Sequence, residues 1–176
     1  KQFYSTKGVA VNVAECGAFR GMSSFIMCHT LKRCDPSFTG HGYEIYDSFQ
    51  GLSEPGEKDT HNAETRYMEA GKFCADKMVV QRTLAEFPDV SLNEGWIPAG
   101  FNAENKGPYK FIHVDVDLYA PTKASLDFFW PRVSKGGKMV CDDYGWPGAK
   151  LAVEEFCTEN GIKFDVTPYN QACITK

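Results

Sequence analysis

The sequence has no apolar run approaching the roughly 20 residues needed to cross a bilayer, and no secretory-type start. It opens on Lys1 rather than a methionine, with a strand-like run soon after, as a processed or trimmed chain would. No two cysteines are spaced as C-x-x-C, and seven is an odd total. Zinc ribbons, redox motifs and a disulfide framework are therefore not indicated, and reduced, mostly buried thiols are expected. Basic residues are few and scattered: 19 Lys and Arg against 23 Asp and Glu give a net charge of −4, so no cationic footprint for nucleic acid is present. Neither nucleic acid nor membrane is an expected partner, the expected location is cytoplasmic, and homo-oligomerisation is left open. A ligand held through its own negative charge would need local help, from a helix N-terminus or a metal.

What is present is a globular composition. Hydrophobic residues make up 43% and aromatics 14% of 176 residues, and no stretch is low in complexity, which suits one domain over 1–176 with a substantial core. Short apolar runs alternate with helix-like segments, the pattern of an α/β fold with a largely parallel sheet. Strands are expected at Val9 to Glu15, Tyr43 to Tyr46, Val90 to Leu92, Lys110 to Val114 and Lys138 to Cys141. Helices are expected at Ser23 to Lys32, Ala75 to Phe87, Pro121 to Trp130 and Pro147 to Asn160, the last ended by Gly161. Pro131 and Gly136-Gly137 read as the stop after the third helix. Phe164 to Thr167 and Ala172 to Thr175 read as a closing antiparallel pair.

Four strand ends carry distinctive residues: Glu15 with Gly17, then Asp47, Asp115, and the pair Asp142-Asp143. In open parallel sheets ligands bind beyond the carboxyl ends of the strands. Gly17 and Gly21 let the backbone turn sharply, and Ser23 or Ser24 is placed to cap a helix whose N-terminus favours an anion. The turn is not the G-x-G-x-x-G of a nicotinamide enzyme, because Ala18 and Phe19 stand where the second glycine belongs. Asp47 sits where a short carboxylate would accept both hydroxyls of a ribose. Three or four acids at adjacent strand ends repel one another unless a cation offsets the charge, and hard oxygen ligands suit Mg²⁺. His29 and His113 read as satisfied core or rim histidines, while His61, in a polar loop, could reach the site. Phe128, Phe129 and Trp130 read as core or interface packing.

Six motifs carry a resemblance. They are Glu15 to Ser24 (ECGAFRGMSS), Tyr46 to Leu52 (YDSFQGL), Asp115 to Tyr119 (DVDLY), Pro131 to Gly137 (PRVSKGG), Asp142 to Gly145 (DDYG) and Ala152 to Phe156 (AVEEF). In this order they resemble the macrocin O-methyltransferase family, sugar O-methyltransferases of natural-product pathways. The resemblance implies a Rossmann-like, seven-stranded, mostly parallel sheet with one antiparallel strand and helices on both faces. It also implies S-adenosylmethionine as donor, Mg²⁺ dependence and a sugar or glycoside acceptor. Carried over, Glu15, Gly17, Arg20, Gly21 and Ser23 would surround the methionine part of the cofactor. Asp47 and Ser48 would hold the ribose, and Gly95-Trp96 would lie by the adenine. Asp115, Asp142 and Asp143 would ligate the metal, and Asp117 or Asp115 would act as general base.

Two departures stand out. Val116 replaces the family's usual glycine between the two acids, which narrows backbone freedom there. Ala120 replaces an acid on the substrate side. The helical N-terminal segment that covers the substrate in such enzymes is expected to be absent. Two other readings stay open. In a glycosyltransferase, Asp115-Val116-Asp117 would hold a metal and a nucleotide-sugar diphosphate, leaving the glycine turn and Asp47 unexplained. A non-catalytic domain would bind the cofactor without turnover.

Overall fold

The computed structural model describes residues 12–59, 68–104 and 107–176. Among them, strands and helices alternate: β1 (Asn12–Cys16), α1 (Met22–Cys34), β2 (Tyr43–Asp47), α2 (Lys77–Thr83), β3 (Ser91–Glu94), β4 (Tyr109–Val114), α3 (Tyr119–Phe129), β5 (Val133–Cys141), α4 (Pro147–Asn160), β6 (Phe164–Val166) and β7 (Ala172–Thr175). They form one seven-stranded sheet in the order β3-β2-β1-β4-β5-β7-β6. The pairs from β3 through β5 are parallel, and β7 is antiparallel to both β5 and β6. β7 is thus the one reversed strand, as expected. Strand order changes direction between β1 and β4, which makes the carboxyl ends of those strands the switch point.

Alternation along the strands feeds two cores, because successive side chains point to opposite faces. Val13, Tyr43 and Ile45 pack with Cys28 and Leu31 of α1 and Val80 of α2. Ala14, Cys16, Ile112, Val114 and Met139 pack on the other face with Leu126 and Phe129 of α3 and Val153 and Phe156 of α4. Helices cover both faces. Phe129 is core, while Phe128 stacks on Phe101 and Trp130 packs edge-on against Phe156. No helix of the described residues is long and apolar enough to cross a membrane.

Boundaries differ from expectation for identifiable reasons. Val9 to Val11 of the first expected strand, and His61, lie outside the described residues. α1 starts at Met22 behind Gly21, with no side-chain cap. Ser24, expected as a cap, is instead buried and donates its hydroxyl to Glu15. α2 is shorter than expected; it begins where Asp76 accepts a hydrogen bond from the Met78 N–H at 2.7 Å. Gly136-Gly137 do not stop at a loop but lie inside β5, where the register jumps between the Tyr109–Val133 and Phe111–Lys138 pairs. A Cβ at Gly137 would fall 2.7 Å from the Val133 side chain, so the detour closes only on glycine.

α3 also lacks a cap of its own. Asp59, on the 3₁₀ turn Glu57–Asp59, fills that role from a distant part of the chain. Its carboxylate accepts from the Tyr119 N–H at 2.7 Å and the Gly56 N–H at 2.9 Å, and it is buried. Asp59→Ala is expected to cost about 1–2 kcal/mol. A urea titration should show a lower midpoint at unchanged slope. A midpoint equal to that of the parent chain would rule out the capping role.

Candidate functional site

The edge where β1, β4 and β5 end is continuous. The Asp115 N–H donates to the Cys16 carbonyl at 2.8 Å and the Asp142 N–H to the Val114 carbonyl at 2.9 Å, so the ladder carries the acids out past the strands. Gly17 turns the chain at φ 82°, and its N–H donates to the Tyr46 carbonyl at 2.9 Å. A Cβ there would lie 1.7 Å from the Asp115 carbonyl oxygen, so only glycine lets the turn rest on the end of β4. Beyond this edge opens a cleft of about 270 Å³.

Of the residues expected at the site, Gly17, Asp47, Ser48, Trp96, Asp115 and Asp117 line the cleft. Asp47 also does a structural task. One oxygen accepts from the N–H groups of Ala18 (2.7 Å) and Phe19 (3.2 Å), and the other accepts from Phe49 (2.7 Å). A carboxylate has about four acceptor sites, so these three N–H groups leave Asp47 with some acceptor capacity toward the cleft. Ser48 folds its own loop, donating to the Gly51 carbonyl and accepting from the Gln50 N–H, both at 3.0 Å. Gly95, Arg20, Gly21 and Ser23 are not in the wall. The exposed Arg20 guanidinium lies over the Phe19 ring, 5.1 Å from its centroid.

Glu15, expected beside the methionine part of the cofactor, is fully buried on the α1 side of the sheet and is not among the residues lining the cleft. It accepts from the hydroxyls of Ser24 and Tyr43 (3.2 Å) and lies 3.0 Å from His113 Nδ1. His113 Nε2 in turn is 4.0 Å from Asp142 Oδ1. Burial pulls the imidazole pKa down, but the neighbouring carboxylates of Asp142 and Glu15 prevail and push it up to about 10.

The acids fall into two overlapping sets that share Asp115. Ligand atoms of Asp115, Asp117 and Asp143 lie within 4.8 Å of one another, and so do those of His113, Asp115 and Asp142. The expected triad is therefore split: Asp142 leans toward His113, and Asp143 toward Asp117, whose N–H it accepts at 2.8 Å. Burial, then repulsion from Asp117 and Asp115, raises Asp143 to about 8. Burial, then Asp142 and Asp117, raises Asp115 to about 7 against the pull of His113. Burial and Asp142 raise Asp117 to about 6. Asp142 is lowered, chiefly by His113 beside it. A donor set of closely placed, mutually raised carboxylates fits a hard divalent cation.

Val116, which narrows backbone freedom between the two acids, is not itself left-handed. The left-handed residue is Asp117, at φ 59°, so a glycine's freedom is not needed at 116. Neither Phe19 nor Phe73 is expected from the sequence as a wall of the site. They meet edge-to-face at 5.8 Å in the cleft wall, each more than two-fifths exposed and each at positive φ. Positive φ in a bulky residue leaves no mark in composition or periodicity, though Phe19 lies inside the glycine turn.

Residues 3–175 match the macrocin-O-methyltransferase (TylF) family. The chain belongs to it. Among relatives of this family, a Streptomyces olivaceus protein named 8-demethyl-8-(2,3-dimethoxy-alpha-L-rhamnosyl)-tetracenomycin-C 4'-O-methyltransferase is 29% identical over 88% of this chain and 61% of its own length. The mycinamicin III 3''-O-methyltransferase of Micromonospora griseorubida is 28% identical over 90% and 65%. The chain thus spans a little over three fifths of these macrocin O-methyltransferase relatives. The solved structure of the O-methyltransferase NovP superposes with a TM-score of 0.79 at 22% identity, over 96% of this chain and 72% of that one. The calicheamicin methyltransferase CalS11 superposes at 0.77 with 19% identity, over 93% and 72%. These two likenesses establish the fold.

Proposed function

We propose that the chain carries the catalytic part of a Mg²⁺-dependent O-methyltransferase that moves a methyl group from S-adenosylmethionine to a sugar hydroxyl of a glycosylated natural product. The observation that carries this is one cleft lined both by the Gly17 turn with Asp47 and by the acids Asp115 and Asp117. Donor site and acid site share a wall, as a direct transfer requires. The relatives named for a rhamnosyl-tetracenomycin and for mycinamicin III support the sugar acceptor. Family membership argues against the glycosyltransferase.

Methyl transfer from a sulfonium is an in-line displacement, so the protein's task is placement. The Gly17 turn brings backbone close to the donor, and the uncapped N-terminus of α1 favours its carboxylate. Asp47 holds the turn and offers an oxygen to the ribose, and Trp96 gives an exposed ring to the base. Asp115, common to the two sets, with Asp142 on one side and Asp143 on the other, would hold Mg²⁺, which would lower the pKa of a bound hydroxyl. Asp117 takes the proton. Burial and Asp142 push its carboxyl up to about 6 without metal, toward the range that suits a general base.

Isothermal titration with S-adenosylmethionine tests the donor site, and absence of binding by the folded chain would sink the proposal. Asp117→Asn should leave that affinity within about threefold while lowering kcat about 10²–10⁴-fold on an accepted glycoside. Donor binding with no transfer to any diol would favour the non-catalytic reading.

A further inference from the structure

Asp142 is gripped by two groups outside the acid cluster, and the fold explains both. Because β7 runs antiparallel to β5 with Cys141 opposite Ala172, one further step sets Asp142 opposite Gln171. The Gln171 side-chain amide donates to Asp142 Oδ1. Its orientation is determined by the hairpin tip. The Thr167 hydroxyl lies 3.5 Å from Gln171 Oε1 and accepts from the N–H groups of Gln171 (3.2 Å) and Tyr169 (3.3 Å). The Thr167 N–H donates to the Gln171 carbonyl at 2.9 Å. With its oxygen turned to Thr167, the amide presents its NH₂ to Asp142. From the other side His113 Nε2 approaches the same Oδ1 at 4.0 Å, with its ring braced on Glu15 at 3.0 Å. Both contacts fall on one oxygen, leaving Oδ2 for a cation.

We propose that Gln171 and His113 are positioning residues that hold the Asp142 carboxylate in the orientation a divalent cation requires. The inference rests on the metal-site reading above. Ligating carboxylates are themselves hydrogen-bonded, and loss of such an outer partner typically weakens metal binding about 10–100-fold. Gln171 is the better probe, since His113 lies in a buried strand while Gln171 is half-buried at a hairpin end.

The test uses Mn²⁺ as probe, with free ion counted by electron paramagnetic resonance. Gln171→Leu should raise the Mn²⁺ Kd about 10–100-fold, with S-adenosylmethionine affinity and metal-free Tm unchanged. Thr167→Val, which frees the amide without deleting it, should give a smaller loss, and it serves as the test should Gln171→Leu not fold. A Kd within twofold of the parent in a folded Gln171→Leu chain overturns the positioning role. If the parent chain binds no Mn²⁺, the metal reading and this inference fall together, while donor binding, measured separately, keeps the methyltransferase reading distinct.

Discussion

Gly17→Ala is expected to abolish S-adenosylmethionine binding and to destabilise the chain by roughly 2–4 kcal/mol. Two costs combine. A residue with a Cβ at φ 82° is in the left-handed region, a penalty of about 1–2 kcal/mol. The new Cβ would also fall 1.7 Å from the Asp115 carbonyl oxygen, a backbone atom that retreats only if the end of β1 parts from β4. That parting would displace the glycine turn and Asp115 together, on the two sides of the cleft. Gly21→Ala is the control. It has the same φ of 82°, but its nearest neighbours are side-chain atoms, of Val80 at 3.3 Å and Thr83 at 3.5 Å, rather than backbone. Its cost should stay near the backbone penalty alone. Guanidinium unfolding gives the stability difference and calorimetry the affinity. Wild-type affinity in Gly17→Ala would remove this turn from the donor site.

Without divalent metal, the chain is expected to lose stability steadily as pH rises from about 5 to 9, and Mg²⁺ should restore it at the alkaline end. Asp143, Asp115 and Asp117 are raised in the folded state to about 8, 7 and 6, from an ordinary value of 3.8. An acid with a raised folded pKa is tolerated while protonated, and its repulsion destabilises the fold as pH climbs through that window. His113 acts in the same direction: raised to about 10, its contribution is complete below its ordinary 6.5 and is lost above. Asp142, lowered, contributes above the ordinary carboxylate range and is lost only in acid. Each proton held differentially gives a slope of about 1.4 kcal/mol per pH unit. Asp143→Asn should flatten the slope and weaken the Mg²⁺ response. Thermal melts across pH with EDTA or Mg²⁺ check both. A metal-free Tm that rises toward pH 9 would contradict the charge balance described here.

The strands and α4 were legible because each rests on a local pattern. Tyr43 to Tyr46 is a compact apolar run, and Pro147 and Gly161 bracket a helix with the punctuation such ends require. The glycine turn, Asp47 and the two acidic strand ends were readable for the same reason, since each sits directly after an apolar run. What was not legible depends on contacts across the sheet. Nothing local distinguishes Ser24 as a partner of Glu15 from Ser24 as a helix cap, because the choice is made by the buried carboxylate it meets. Gln171 opposes Asp142 only through the reversed register of β7, 29 residues away in sequence. The extent of β5 was misread because paired glycines signal a turn, and here they shape a detour within a strand.

The thiols have a practical consequence. Four of the seven cysteines are buried, Cys173 is half-covered, and only Cys34 and Cys74 are exposed. Cys74 adjoins Phe73 in the cleft wall and lies 3.5 Å from the Phe49 carbonyl, on the loop that follows Asp47 and Ser48. Exchanging Cys34 for serine would leave one open thiol at the rim of the cleft. The chain thus carries its own attachment point for a fluorophore able to report, from outside, when the cleft fills.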